Sequence, residues 1–413
     1  MLGTTDDDME FFLHELPNGI RCVHRQTKTA VAYCGLTINT GSRDELPTEH
    51  GIAHFLEHSL FKGTQRRRAY QINSRLENLG GEINAFTTKE ETVIHATTLR
   101  KDFAKAVELI SDMVFHSTFP QHEVDREKEV IIDEINSYKD SPAERIYDDF
   151  EDRVFAGSSL GHNILGQKKN IQRFMTADIR SFCARTYNTD QMVFSSVGPF
   201  GGNRFHEICE RYLGPVPCNE RTFERLGVQD VSPFREKQKQ NTFQVHCLMG
   251  GRAYSNQSPK RVAFSLLSNL LGGASSNSLL NMALRERNGF SYNIEAGYTP
   301  FGDTGLATIY FGTEKDKLDR CLELVDKELQ RVISGSISHR QFSVAKKQFI
   351  GQLHISLENS EGNMLSAGKS LLVYNKVDSM SELTARIESL NLSDIVDAAQ
   401  EIYGQPLSLL TYI

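Results

Sequence analysis

The stretch GIAHFLEHSLFKGT, residues Gly51 to Thr64, sets His54, Glu57 and His58 within five positions of one another. A helix stacks residues four apart and puts the residue three on between them, so both imidazoles and the carboxylate share one patch. Three such groups on one face suit a metal ion. A catalytic zinc takes about three protein ligands and keeps one position open for water. Two histidines at i, i+4 supply two of those ligands from a rigid element and leave Glu57 beside the open position, where it can take a proton. With 13 His and 53 Asp+Glu in 413 residues, the pattern H-x-x-[DE]-H arises by chance with a probability of roughly 0.05. The alternative, two surface histidines on an amphipathic helix, has to be decided by the rest of the chain.

Outward from the motif, strand and helix periods alternate. Phe11 to Arg25 reads as strand, turn, strand about Pro17-Asn18-Gly19, and Asn-Gly is the strongest short hairpin signal. Ala30 to Asn39 is a third apolar strand, and the helical pattern that carries the motif begins near Glu49. A helix over Ala69 to Leu79 closes on Gly80-Gly81. Glu82 to Leu99 has the Thr, Val and Ile content of strands, and helices follow at Phe103 to Phe115 and Glu123 to Tyr138. In the latter, Val124, Ile131, Ile132 and Ile135 make an apolar face while Glu127 and Glu134, two turns apart, share another. Helices at Ala143 to Phe155, Ala177 to Tyr187 and Phe205 to Tyr212, with the strand MVFSSVG among them, complete the first half. The segment GPVPCNERTFERLGVQDVSPF, rich in Pro, Gly and charge, reads as a linker.

At this length the chain is too large for one ordinary core and fits two or three domains. The formal net charge of −7 offers no basic stripe for nucleic acid, and Arg66, Arg67 and Arg68 read as a solvated face. Seven scattered cysteines without a C-x-x-C read as reduced thiols, which points to a reducing compartment. The acidic N-terminus lacks the pattern of a secretory or mitochondrial leader, and no window approaches the ~20 apolar residues of a membrane span. A soluble, cytoplasmic protein is expected.

The second half starts over, with a strand at TFQVHCLMGG, a helix over Arg261 to Leu271, a Gly-Gly stop and a helix reaching Arg287. VELISDMV from Val107 aligns with LELVDKEL from Leu322, and EKEVIIDEI with AKKQFIGQL from Ala345 after a further shift of three. Two similar α+β domains from one duplication explain this, each a mostly antiparallel sheet packed with helices. The expected division is a metal-binding domain over 1–215, a linker over 216–236 and a second domain over 237–413. At the first offset His54 falls on Asn269 and His58 on Gly273, so the second copy carries no metal motif.

A third ligand is still needed, and spacing alone does not choose among Glu123, Glu127, Glu129, Asp133 and Glu134. The order H-x-x-E-H is the inverzincin signature. Together with NAFTTKEET and REKEVIIDEI, the motif resembles the metallopeptidase family of pitrilysin, insulin-degrading enzyme and the mitochondrial processing peptidase β subunit, and the resemblance spans nearly the whole chain. In that family a glutamate 76 residues beyond the second histidine completes the site; here it is Glu134. The resemblance therefore implies Zn²⁺ held by His54, His58 and Glu134, with Glu57 as general base and Glu127 as an accessory acid. It implies that Asn84 and Ala85 lie on an edge strand that pairs with extended substrate, and that Arg285 and Tyr292 of LRERNGFSY reach the active site from another domain. Asn277 departs from the basic residue of many relatives. The implied activity is hydrolysis of short or unfolded peptides by a zinc endopeptidase. Because long relatives carry four such domains and this chain only two, a homodimeric clamshell is expected, with Arg285 and Tyr292 acting in trans. The competing expectation is a non-catalytic or hetero-oligomeric peptide-binding subunit, a class whose members have lost the zinc motif that is intact here.

Overall fold

A computed structural model describes residues 11–240 and 242–413. Apart from short 3-10 turns, the first half runs β1 (Phe11–Glu15), β2 (Arg21–Gln26), β3 (Val31–Ile38), α1 (Ile52–Leu60), α2 (Ala69–Glu77), β4 (Glu82–Thr87), β5 (Thr92–Leu99), α3 (Phe103–His116), α4 (Gln121–Lys139), α5 (Pro142–Val154), α6 (Lys168–Ile171), α7 (Thr176–Thr186), β6 (Met192–Gly198) and α8 (Gly202–Tyr212). The second runs β7 (Arg235–Gln238), β8 (Val245–Ala253), α9 (Arg261–Gly272), a π-helical stretch (Asn281–Glu286), β9 (Ile294–Pro300), β10 (Gly305–Thr313), α10 (Leu318–Ile333), α11 (His339–Glu358), α12 (Ser360–Tyr374), α13 (Met380–Glu388), α14 (Leu392–Tyr403) and β11 (Ser408–Tyr412).

The two halves are copies. Strand β9 starts 212 residues after β4, α10 starts 215 after α3, and α11 starts 218 after α4. Five strands correspond in order, β2-β6-β3-β5-β4 in one sheet and β7-β11-β8-β10-β9 in the other, and the first sheet adds β1 beside β2. In both, one parallel pairing (β2 with β6, β7 with β11) sits in an otherwise antiparallel ladder. The expected α+β class, two sheet-plus-helix halves, is what the chain adopts.

The chain divides into two compact units, and it does so by passing between them more than once. The first holds residues 1–136, 162–226 and 355–381, and the second holds 137–161, 227–354 and 382–413. The segment carrying α5 thus belongs with the second sheet, where Ile146, Phe150 and Val154 pack on Leu248, Leu410 and Tyr412. Its counterpart α12 belongs with the first, where Ala367 and Leu371 cover Val23 and Val193. Gly368 makes the close approach possible, since a Cβ there would stand 2.9 Å from the hydroxyls of Ser195 and Thr37. With α12 on one face and α1, α3 and α8 on the other, β6 is buried along its whole length, as expected for a strand covered on both sides.

Among the sequence expectations, the hairpin forms with Gly19 at a φ of +89°, and Glu82 to Leu99 splits into the paired strands β4 and β5. The segment after α8 is pinned where it belongs to the first unit. Arg225 grips both carboxylate oxygens of Asp44 at 2.9 and 2.8 Å and donates to the Glu90 carbonyl at 3.0 Å, and Arg221 donates to the Asn39 carbonyl.

One backbone contact fixes the start of α1. Gly51 caps the helix at a φ of +101°, and Gly166, at a φ of +71°, lies against it; a Cβ on Gly166 would stand 2.2 Å from the His50 carbonyl oxygen. Gly166→Ala is expected to destabilise the first unit by at least about 1–3 kcal/mol, the usual cost of such strain. Urea unfolding measures it, and an unchanged midpoint would refute this packing.

Candidate metal centre

Helix α1 is apolar on almost every side, with Ile52, Ala53, Phe55, Leu56 and Leu60 all buried. His54 and Glu57 are buried with them, at 8% and 9% exposure. This removes the reading of the motif as surface polarity, because buried ionisable groups on a core helix need partners.

The partners come from α4. Val124, Ile131 and Ile135 bury one face of that helix, which turns Glu127 and Glu134 toward α1. A Glu134 carboxylate oxygen stands 3.7 Å from His54 Nε2 and 3.8 Å from His58 Nε2. One ligand atom from each of the three residues lies within 4.8 Å of the other two. Donors about 2.0–2.1 Å from a tetrahedral zinc stand roughly 3.4 Å apart, so a small contraction closes the set around an ion. The donor chemistry, two imidazoles and a carboxylate, is that of catalytic zinc. Glu134 is 45% exposed at its side chain, which leaves the solvent face open.

Glu127 lies behind these three residues. It accepts from His58 Nδ1 at 2.7 Å and from Lys62 Nζ at 2.6 Å. That bond fixes the ring so that Nε2 is the nitrogen facing Glu134. Burial opposes charge on Glu127, but the hydrogen bonds from His58 and Lys62 outweigh it and hold the carboxyl below its ordinary range. For His58, burial again disfavours the charged form, and the bond and charge of Glu127 overcome it to raise the imidazole pKa. Burial, followed by repulsion from His58, pushes His54 down to about 3. His54 is thus a neutral, metal-ready ring.

Burial also pushes the Glu57 carboxyl up, against the opposing pull of the Thr87 hydroxyl and His58. The Thr87 hydroxyl is the neighbour of the Glu57 carboxylate, and among the described residues neither Thr87 Oγ1 nor Glu57 Oε2 has any other hydrogen-bond partner. Thr87 is the last residue of β4, an edge strand whose one neighbour in the sheet is β5. Asn84 and Ala85 lie on that strand opposite His95 and Ile94. The end of an open sheet edge and the candidate base are therefore neighbours.

Residues that the sequence did not single out hold these parts together. Glu45 caps α1 from upstream, accepting from the backbone of Gly51 at 2.9 Å and of Ala53 at 2.8 Å, and His162 stands 2.8 Å from the same carboxylate. Burial pushes the Glu45 carboxyl well above its ordinary range despite those two N–H bonds. The preceding residues Ser42 and Arg43 bond through their backbone to Thr88 and Lys89, just past β4. Lys62, one turn after His58, was legible by its spacing, whereas Glu45 has no such signal.

Arg285 and Tyr292 lie in the second unit, where Arg285 is about half exposed and Tyr292 is 83% exposed. Arg285 sits in the π-helical stretch, whose Arg287 N–H reaches five residues back to the Met282 carbonyl, a local widening that re-aims side chains. At the duplicated positions of this unit, Asn269 Nδ2 donates to Gln352 Oε1 at 2.8 Å. An amide pair stands there in place of a histidine and a carboxylate, and Gly273 supplies no side chain.

All seven cysteines are free, and among the described residues no helix is long and apolar enough to cross a membrane. Residues 21–168 match the insulinase (peptidase family M16) domain, and residues 174–349 match the peptidase M16 inactive domain. Over 95% of its length the chain is 30% identical to an uncharacterized zinc protease of Bacillus subtilis, covering 95% of that protein. Over 96% it is 27% identical to the mitochondrial-processing peptidase subunit beta of Saccharomyces cerevisiae, covering 89% of it. The fold matches a protease from Helicobacter pylori with a TM-score of 0.89 at 20% identity, over 98% of this chain and 100% of that one. It also matches a peptidase M16 inactive domain from Pseudomonas fluorescens with a TM-score of 0.90 at 17% identity, over 98% of each. The motif, its third carboxylate and the duplicated fold converge with these likenesses: the chain belongs to peptidase family M16, the insulinase family.

Proposed function

We propose that the chain is a zinc endopeptidase acting on short or unfolded peptides, with the catalytic Zn²⁺ held by His54, His58 and Glu134 and with Glu57 as general base. The observation that carries this is the convergence of two imidazoles and a carboxylate beside the buried side chain of Glu57. The relatives named as zinc proteases support the choice of metal.

Zinc bound there supplies Lewis-acid activation of water and of the scissile carbonyl. The rest falls to the protein. An extended substrate adds as a strand beside Asn84 and Ala85, where backbone hydrogen bonds give affinity without reading sequence. The end of β4 at Thr87 delivers the chain to Glu57. Glu57 takes the proton of the attacking water and returns it to the leaving amine, and its raised pKa brings it nearer the operating pH, where such transfer is most effective. Glu127 acts as a positioning residue that fixes the His58 tautomer, with Lys62 keeping it charged. Arg285 and Tyr292 are assigned to stabilising the oxyanion, supplied in trans by a second copy in a homodimer. A cytoplasmic setting agrees with seven free thiols.

The test is cleavage of a mixed peptide library by the purified chain. Cleavage is expected to stop with chelator and to return with stoichiometric zinc; cleavage that persists in chelator would overturn the reading. Light scattering on the same sample separates a homodimer from a chain that needs a different partner.

The His58–Glu127 bond carries its own expectation. Zinc has to displace the Nε2 proton of the His58 imidazolium, whose charge Glu127 stabilises through Nδ1, so zinc affinity rises with pH through the raised pKa of that ring and levels off above it. Glu127→Gln lowers that pKa, so the levelling moves to lower pH. It also weakens zinc binding at the plateau by about 10- to 100-fold. Chelator competition across a pH series measures both, and a pH profile identical to that of the parent chain would rule out the orienting role.

A further inference from the structure

Away from this centre, three more donor groups meet where β1 packs against α8. His14 comes from β1, and His206 and Glu210 sit one turn apart on α8. One ligand atom from each lies within 4.8 Å of the other two. His206 Nε2 is 3.7 Å from Glu210 Oε1, the spacing found between His54 and Glu134. The rings of His14 and His206 meet edge to face at 3.9 Å and 75°, much as those of His54 and His58 do at 4.6 Å and 63°.

We propose that His14, His206 and Glu210 form a second, non-catalytic metal site that takes Zn²⁺ or a similar borderline divalent ion and ties β1 to α8. Two observations support it. His14 Nε2 is buried without a hydrogen-bond partner among the described residues, and an unsatisfied buried polar atom carries a desolvation penalty that ring stacking does not relieve. The frame is also set by packing: Gly202 opens α8 directly on the Phe12 ring, to which a Cβ would stand 2.3 Å away, so β1 and α8 hold a fixed spacing. Two imidazoles and one carboxylate select zinc, cobalt, nickel or copper over calcium or magnesium, which require more oxygen ligands. A cation here joins residues far apart in sequence, and among the described residues β1 is an edge strand paired only with β2. Binding would therefore stabilise that edge.

The test is a zinc titration of the full chain carrying Glu134→Ala, an exposed substitution that disables the first site, monitored by a chromophoric chelator. One zinc equivalent is expected to remain. Adding His14→Ala and His206→Ala should abolish it, and Glu210→Gln, an exposed and nearly isosteric change, should weaken it by at least about 10-fold. In the otherwise native chain, His14→Ala with His206→Ala is expected to leave peptide cleavage unchanged. The proposal is overturned if the first variant binds no zinc, if the equivalent survives the further substitutions, or if cleavage is lost while the catalytic zinc is retained.

Discussion

Glu57→Gln is expected to keep the catalytic zinc and to lower turnover by about 10²- to 10⁴-fold, the range over which a positioned general base contributes. The amide is isosteric with the carboxylate, so α1 and its packing should be unaffected. The side chain is not among the three donors that converge with Glu134. Its buried Oε2 is the atom whose basicity the substitution removes. Zinc content and kcat on a quenched fluorescent peptide, measured on the same preparation, check this. A variant with parental turnover would remove Glu57 from the chemistry, and one without zinc would make it a structural member of the metal site.

Glu134→Ala is expected to abolish cleavage and zinc retention at the His54, His58 and Glu134 site. Because the Glu134 side chain is 45% exposed, its loss should change the stability of the metal-free protein by no more than about 0.5 kcal/mol. That separates it from alanine substitutions at His54 or Glu57, where a buried site would confound metal loss with unfolding. The comparison is thermal unfolding of metal-free and zinc-loaded protein. Zinc should raise the melting temperature of the parent chain far more than that of the variant, since an ion that binds only the folded state stabilises it by mass action. Equal shifts would mean that the ion is held elsewhere.

Much of this was legible because local signals and fold agree. The Asn18-Gly19 turn, the switch to helical period before His54 and the Gly80-Gly81 stop each announce an element. The repeat was visible as two short alignments, and their offsets of 215 and 218 are those that relate α3 to α10 and α4 to α11. What stayed hidden is long-range. The apolar stripe of α5, through Ile146, Phe150 and Val154, says which face is buried and not which sheet buries it, so its packing with the second sheet could not be read. The choice of Glu134 among five carboxylates needed family resemblance, because helix periodicity pairs Glu127 with Glu134 without ranking them. The physical distinction lies in tertiary placement: Glu127 is buried against His58 and Lys62, while Glu134 faces outward. Glu45 escaped for a related reason. It caps α1 from six and eight residues upstream, outside the short window in which capping residues are sought. The segment after α8 has the composition of a loose tether, but Arg221 and Arg225 anchor it on carbonyls and on Asp44 from distant parts of the chain.

The most direct measurement of the central assignment is anomalous diffraction at the zinc edge from crystals of the Glu57→Gln chain, in which the metal is retained without turnover. The expected result is a peak bonded to His54 Nε2, His58 Nε2 and a Glu134 carboxylate oxygen at about 2.0–2.2 Å, with Glu57 outside bonding distance. No peak at these three residues in zinc-replete crystals would contradict it.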